Sequence, residues 1–306
     1  AGDLVVTGTL YIYDVNTLLD MATNDASLTL TGGISMPTGG VQIDWGIGTA
    51  TLTHVGGNWY IDRDITGFHN LVLSGTGDKY MYGDLAITGN VTIKTDIDLM
   101  MHENNTALPH SMTGLAGKTF TMEGNARVFC PVAAAIGPAF PVNFGTYTIS
   151  QNASLYLYSP NGVNQTIYTG NGISYGNVYF RNTKNVTSDG VATLDINGSF
   201  DMENATYIDN GRDINVAGPD IWLNRYTPSS SAVTFRLDGN INQYLRNTAT
   251  NNIVFGNLTT SGTGTKTIGD GNDVITINGN FSNAATVTVT SACNITFSGS
   301  SWDNSG

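Results

Sequence analysis

The sequence is poor in charged residues and in cysteine, and both shortages exclude classes of protein. Only 12% of the 306 residues are charged, which is about half of the roughly 25% that is usual in a soluble domain. Twelve Lys and Arg stand against 24 Asp and Glu, so the formal net charge is −12. This balance excludes a basic surface for nucleic acid. Two cysteines exclude a disulfide-rich scaffold and a zinc site with four cysteine ligands.

Long apolar runs and helix-favouring stretches are also missing. No apolar run approaches the roughly 18 residues that a membrane span requires, and few stretches are rich in Ala, Glu, Lys and Leu. Strand-forming and turn-forming residues are abundant instead, including Thr, Val, Ile, Tyr, Asn and 37 glycines. This composition predicts an all-β fold. Together with the few charges and cysteines, it predicts an extracellular protein of the cell surface.

A short pattern recurs four times along the chain. It reads apolar, any residue, apolar, Thr or Asn, Gly, and two copies lead into clear alternation of apolar residues. Alternation with a period of two is typical of a strand with one buried face. The first and last intervals between the four glycines are equal, and the middle interval is longer, so the chain repeats with one extended unit. The four glycines are Gly8, Gly89, Gly198 and Gly279.

Two further patterns keep a constant order relative to the first. One is an aromatic residue, any residue, Asn and an aliphatic residue, and its Asn precedes the next signature glycine by a similar interval in each of three copies. The other reads apolar, any residue, apolar, any residue, Gly. The three patterns follow each other in the same order each time, which predicts an internal repeat. The asparagines are Asn70, Asn177 and Asn257, and the glycines of the last pattern are Gly32, Gly124, Gly218 and Gly299.

Short strands and Gly/Asn turns inside such a repeat predict a parallel β-helix, or β-solenoid, built from super-repeats of about 80 residues. Like residues would stack about 4.8 Å apart from one coil to the next. With two or three strands per coil, the chain would form roughly 12 to 15 coils. The irregular spacing leaves tandem β-sandwich domains as the alternative. We expect one elongated repeat domain over 1–306, with units of about 1–84, 85–193, 194–274 and a truncated 275–306, and an insertion at about 126–160.

Several strings resemble the repeat regions of very large secreted surface proteins and adhesins of Bacteroidetes-type and other bacteria. The best matches are Phe68 to Ile93 and Phe255 to Phe281, the second of which contains SGTGTKTIGDG. The VGGNW string from Val55 to Trp59 is also similar to a strand of that family. The resemblance implies a repetitive, β-rich, parallel β-helical extracellular module. It implies no catalytic motif and no particular ligand.

Two places are candidates for ligand contact. Trp45 and Trp59 do not follow the repeat and could form a surface for stacking sugars. The segment around Asp270 and Asp273 resembles one copy of a calcium-binding nonapeptide repeat, and its alternative interpretation is a tight Gly/Asp turn. The stretch 131–141 in the insertion is either a protruding loop or an extra coil, and a functional loop is a further hypothesis.

The sequence contains carboxylate pairs but no motif that identifies an enzyme. Residues i and i+2 of a strand point the same way, as the paired carboxylates of glycoside hydrolysis require. The alternative is that these carboxylates lie on solvated strand faces or cap turns. The four histidines do not have the spacing of a metal site. The carboxylate pairs are Asp62 with Asp64, Asp96 with Asp98, and Asp201 with Glu203.

These observations predict a protein that is not an enzyme, needs no cofactor and has a structural function. We expect a stalk, filament or surface-layer element that works by stacking of β-coils, through self-association or as part of a longer repeat protein. A glycan-binding adhesin module is the alternative, and a polysaccharide lyase or glycosidase on a β-helix is the third hypothesis.

Cys130 and Cys293 are expected to be buried free thiols, and a disulfide between them stays open.

Overall fold

A computed structural model gives the architecture of the chain. It describes residues 3–14, 17–35, 42–55, 58–62, 65, 67–104, 108–131, 140–159, 162–181, 184–203, 205–247, 252–271 and 273–305. The described residues form 39 short strands and no helix. The strands pair in parallel and stack as a β-solenoid of about 12 turns. The predicted fold class is therefore confirmed, and the described residues do not form the β-sandwiches that were the alternative.

The chain divides into two compact units, of which the first comprises Ala1–Pro131 with Ala139–Ala153. Its strands are β1 (Leu4–Val6), β2 (Leu10–Tyr11), β3 (Leu18–Asp20), β4 (Leu28–Leu30), β5 (Ile34–Ser35), β6 (Gln42–Asp44), β7 (Thr49–Leu52), β8 (Trp59–Ile61), β9 (Gly67–Phe68), β10 (Asn70–Leu73), β11 (Asp78–Met81), β12 (Leu85–Ile87), β13 (Val91–Ile93), β14 (Asp98–Met100), β15 (Met112–Thr113), β16 (Thr119–Met122), β17 (Arg127–Pro131) and β18 (Thr146–Ile149).

The second unit comprises Val132–Pro138 with Ser154–Gly306. Its strands are β19 (Ser154–Tyr158), β20 (Gln165–Ile167), β21 (Ser174–Tyr175), β22 (Asn177–Arg181), β23 (Asn185–Ser188), β24 (Leu194–Ile196), β25 (Phe200–Asp201), β26 (Thr206–Ile208), β27 (Ile214–Val216), β28 (Asp220–Leu223), β29 (Arg225–Tyr226), β30 (Thr234–Leu237), β31 (Gln243–Asn247), β32 (Ile253–Phe255), β33 (Asn257–Thr260), β34 (Lys266–Ile268), β35 (Val274–Ile277), β36 (Phe281–Asn283), β37 (Val287–Val289), β38 (Asn294–Phe297) and β39 (Trp302–Asn304).

Each unit has three faces, because each regular coil contributes one strand to each of three sheets. In the first unit the first face runs β1-β4-β7-β10-β13-β16-β18, the second β8-β11-β14-β17, and the third β9-β12-β15. In the second unit the longest faces run β19-β22-β25-β28-β31-β34-β37 and β21-β24-β27-β30-β33-β36-β39. Its third side carries β20-β23-β26-β29 and then β32-β35-β38.

The core lies inside the coils and is built by alternation along each strand. In β10 the inward side chains of Leu71 and Leu73 are fully buried, whereas Val72 between them faces outward and is half-buried. Leu71 pairs with Val91, so like apolar residues meet from coil to coil. The second unit adds a buried aromatic series in which the centroids of neighbouring rings lie 5.3 to 6.4 Å apart. Its members are Phe180, Phe200, Tyr207, Tyr226, Phe235 and Phe255.

The described part of the predicted insertion continues the ladders of the solenoid. Phe120 of β16 pairs with Val91 of β13 on one side and with Tyr147 of β18 on the other. The length of a coil is the number of residues between such paired partners. It is larger for these coils than for the coil of the second unit that runs from Leu194 to its partner Ile214. The described residues of 126–160 thus lie in coils of the solenoid, and the alternatives for the stretch 131–141 stay open. Residues 132–139, which hold most of the proline-containing stretch, lie outside the described part of the chain.

Candidate functional site

The signature asparagines and glycines meet at one type of corner, where two successive strands of a coil join. At each corner the side-chain oxygen of the asparagine accepts a hydrogen bond from the backbone N–H that follows the signature glycine of the next coil. Asn70 Oδ1 accepts from Asn90 at 2.8 Å, Asn177 Oδ1 from Ser199 at 2.8 Å, and Asn257 Oδ1 from Asn280 at 2.7 Å. The side chain thus replaces a backbone acceptor where the ladder turns.

The glycines are needed because the coils approach closely at these corners. A Cβ atom on Gly89 would lie 2.4 Å from Asn70 Oδ1, and one on Gly279 would lie 2.4 Å from Asn257 Oδ1. Gly198 is approached instead by Gly218 of the next coil, whose Cβ would lie 1.9 Å from the Gly198 carbonyl oxygen. Gly8 is different, since a Cβ there would meet nothing within 4 Å.

Two lysines inside the coils are structural residues that the sequence analysis missed. Lys79 has no exposed surface, and its ammonium donates to the carbonyl oxygens of Thr76 at 2.7 Å and Gly77 at 3.1 Å. Lys266 is also fully buried and donates to the carbonyl oxygens of Gly239 and Ile241. Burial lowers the pKa of Lys79 to about 8. An SGTG string stands shortly before each lysine, at 74–77 and 261–264. Lys79 binds carbonyl oxygens of its own string, whereas Lys266 binds those of a turn in the preceding coil.

The two tryptophans proposed to stack sugars are largely buried. Trp59 is 2% exposed, and its indole N–H donates to the Gly32 carbonyl oxygen at 2.6 Å. Trp45 is 7% exposed and packs on Phe68 with ring centroids 4.9 Å apart. Trp45 also lines an open pocket of about 300 Å³, whose rim includes Asp44, His69 and Thr88. Neither ring therefore offers a broad exposed face, and of the VGGNW string Gly56 and Gly57 lie outside the described residues.

The calcium candidates form a turn. The carboxylate of Asp273 is 7% exposed and accepts the backbone N–H of Asp270 at 2.6 Å. Gly269 and Gly271 adopt left-handed backbone conformations, with φ of 90° and 87°, which glycine enters without steric cost. Residue 272 of this segment lies outside the described residues. In the described part of the chain, no group of three or more His, Cys, Asp or Glu is placed to hold a metal ion.

The carboxylate pairs are separated by turns or engaged with arginine. Asp98 makes two bonds of 2.6 Å to Arg127, and burial raises the pKa of its carboxyl although Arg127 opposes that shift. Asp96 lies in a left-handed turn with φ of 62°, so it does not continue the strand of Asp98. Glu203 is likewise left-handed, with φ of 42°, while Asp201 pairs with an arginine. Asp64 lies outside the described residues.

The outward side of β22, β25, β28 and β31 carries aromatic and charged residues that interact with each other. The guanidinium of Arg181 lies 4.9 Å from the ring centre of Tyr179 and binds Asp201 at 2.8 Å. Arg246 lies 4.7 Å from the ring centre of Trp222 and 5.0 Å from that of Tyr244. This row escaped sequence analysis because its members belong to successive coils and come together only through the coil register.

The cysteines are both free thiols, with Cys130 buried and Cys293 half-buried. Cys130 Sγ lies 3.7 Å from the sulfur of Met101, in the core of the first unit. Burial raises the pKa of both thiols. The prediction of free thiols is therefore confirmed for both residues, and that of full burial only for Cys130.

Comparison with known protein families, with curated proteins and with solved structures found no match. The fold thus defines the class: the chain is a β-solenoid with a repeated asparagine–glycine corner, which is consistent with a repeat region. No helix in the described residues is long and apolar enough to cross a membrane.

Proposed function

We propose that this chain is an extracellular structural protein of the cell surface, serving as a stalk, filament or surface-layer element. Its coils would stack on further coils, either in a longer repeat protein or in another copy of the chain. The observation that carries this proposal is the corner network, in which the same asparagine bond links one coil to the next at three places. The described polar side chains of these corners serve the stacking of coils.

The buried lysines support the same proposal. A buried ammonium is costly unless its donors are bonded. Lys79 donates to carbonyl oxygens of its own turn, and Lys266 donates to carbonyl oxygens of a turn in the preceding coil. Lys79 therefore holds its own turn together, and Lys266 links two successive coils. We propose no catalytic step and no cofactor, and we assign Asp270 and Asp273 a turn-forming role.

Electron microscopy of the purified chain at two concentrations tests the proposal, together with its resistance to protease. We expect assemblies that lengthen with concentration, and slow cleavage because the backbone is held in continuous ladders. Particles of one size at both concentrations would contradict self-association. Rapid cleavage throughout the ladders would also contradict a mechanical role in a longer repeat protein.

A glycan-binding module is the second candidate function, and the pocket beside Trp45 favours it. The pocket combines an aromatic wall with a carboxylate, an imidazole and a hydroxyl on its rim, as sugar-sized sites often do. Titration with neutral oligosaccharides, followed by NMR, would show shifts confined to the residues that line the pocket, including Asp44, Trp45, His69 and Thr88. Thr88 is exposed, and its hydroxyl is hydrogen-bonded to His69 Nδ1 at 2.9 Å. Replacing Thr88 with Ala should weaken those shifts, and circular dichroism verifies that the variant folds.

A further inference from the structure

The outward side of the first face of the first unit is a regular array of threonines. We call this surface the threonine face, defined as the outward side of β4, β7, β10, β13, β16 and β18. The strands are parallel and in register, so one residue from each forms a column that runs from coil to coil. The central column consists of Thr29, Thr51, Val72, Thr92, Thr121 and Thr148.

A second column lies beside the central one, two residues earlier in each strand. Its threonines are Thr49, Thr119 and Thr146, and between them Asn70 and Asn90 occupy two coils. Three strands therefore present two threonines side by side. Within the described residues, the hydroxyl groups of the central threonines make no hydrogen bond to protein atoms. These hydroxyls remain available to whatever contacts the face.

The two columns carry no charged and no aromatic side chain. Lys94 and Glu123 follow the central column by two residues, and they form an ion pair at 2.7 Å. The paired aromatic and charged residues of the first unit, such as Tyr80 and Asp98, lie on its second face. A neutral surface of this kind fits an uncharged partner, and it lacks the rings that sugar-binding surfaces use for stacking.

The array has a fixed spacing in both directions. Within a column, successive residues are about 4.8 Å apart, which is the distance between neighbouring strands. The two columns are about 6.7 Å apart, because two residues of a strand span that length. Each threonine offers a hydroxyl that can bond water and a methyl group that borders it. Oxygen atoms on a prism face of hexagonal ice repeat with similar spacings in two perpendicular directions.

We infer that the threonine face binds ice. Water molecules held by the hydroxyls and ordered around the methyl groups would continue the lattice of the crystal, as bridging waters do at wet interfaces. Crystalline polysaccharides are also periodic and uncharged, but the absence of aromatic rings from these columns favours the water lattice. This inference does not depend on the proposed structural function.

The test compares ice growth in the presence of the whole chain and of two double variants. Thr51→Tyr with Thr121→Tyr places two bulky rings on the threonine face, while tyrosine keeps a high strand propensity. Thr187→Tyr with Thr276→Tyr makes the same change at outward, half-buried positions of β23 and β35 in the second unit. Circular dichroism melts verify that each variant folds.

We expect the unchanged chain to inhibit ice recrystallisation and to produce thermal hysteresis. The variant of the threonine face should lose both effects, and the variant of the second unit should keep them. An unchanged chain that acts no more strongly than an inert protein at equal mass would overturn the inference. Equal loss in both folded variants would overturn it too, as would retention on crystalline cellulose without any effect on ice.

Discussion

At the scale of single residues, the corner asparagine has the clearest role. Asn257 accepts a hydrogen bond from Asn280 at 2.7 Å and donates one to the carbonyl oxygen of Ala232 at 3.0 Å. One side chain therefore connects three successive coils. Because its oxygen replaces a backbone acceptor, removing it deprives the N–H of Asn280 of this hydrogen bond.

We predict that Asn257→Ala lowers the free energy of unfolding by about 1–3 kcal/mol, since each lost hydrogen bond contributes about 1 kcal/mol and leaves a polar group unpaired. Chemical denaturation monitored by circular dichroism measures the change. Asn164→Ala is the matched control, because Asn164 is exposed and its side chain makes no hydrogen bond within the described residues. Equal effects of the two substitutions would contradict the role of the corner.

Lys79 makes stability depend on pH in a specific window. Its pKa is lowered to about 8 in the folded chain, against about 10.4 in an unfolded one. Below pH 8 it is protonated in both states, so the cost of burying its charge is present in full. Between these two values the unfolded state binds more protons, and stability therefore rises with pH.

We predict that the unchanged chain gains about 3 kcal/mol relative to Lys79→Met between pH 8 and 10.5, at about 1.4 kcal/mol for each unit of pKa difference. Comparison with the variant cancels the titration of other groups. Lys94→Met is the control, since it removes the same charge from a side chain that is 45% exposed. A constant difference between the unchanged chain and Lys79→Met across this range would refute the assignment.

At the scale of the strand and its corner, the close approach of coils decides which glycines can be replaced. A Cβ on Gly279 would lie 2.4 Å from Asn257 Oδ1 and 2.7 Å from the backbone oxygen of Gly256. The first atom can move with its side chain, but the second belongs to the ladder. A Cβ on Gly8 meets nothing within 4 Å.

We predict that Gly279→Ala destabilises the chain by about 1–3 kcal/mol, as overpacking does, and that Gly8→Ala has little effect. The double variant Asn257→Ala with Gly279→Ala should cost less than the sum of the single ones, because the closest contact is already gone. Thermal melts of the four variants measure this coupling. Additive effects would show that asparagine and glycine act independently.

The sequence was sufficient to predict these corners as a repeat but not to predict how they are used. Composition and alternation led to the β-solenoid, and the similar intervals from each asparagine to the next signature glycine are now explained as one coil each. The spacing from one signature glycine to the next covers several coils, and it does not return the chain to the same corner of the solenoid. In the second unit the corner at Asn177 lies between β21 and β22, whereas the corner at Asn257 lies between β32 and β33, on a different edge of the coil.

The outer surfaces were harder to predict, because their residues come from different coils. Thr51 and Thr121 lie far apart in the sequence, and only the strand register places them in one column. Trp45 and Trp59 were considered as a surface that could stack sugars, yet both side chains are largely buried. Burying a large aromatic side chain contributes a large favourable free energy. The alternation of apolar residues along one strand does not show which tryptophans are buried in this way.

At the scale of the whole molecule, stability is distributed over neighbouring coils. In a solenoid each coil contacts mainly the coils before and after it, so the total is close to a sum of local terms. Ile196 shows how such a local term is built. Its side chain is 1% exposed, and its strand lies between Tyr175 of one coil and Val216 of the next.

A buried charge at this position should therefore disrupt the second unit while the first unit stays folded. An aspartate in place of Ile196 would be desolvated without a partner, at a cost of several kcal/mol. We predict that Ile196→Asp raises hydrogen exchange in β21, β24 and β27, measured by mass spectrometry, but leaves the protection of β10 and β13 unchanged. Asn197→Asp, at the exposed neighbouring position, should alter neither. Loss of protection in every strand at once would mean that the coils fold as a single cooperative unit, and the picture of additive neighbouring coils would then be wrong.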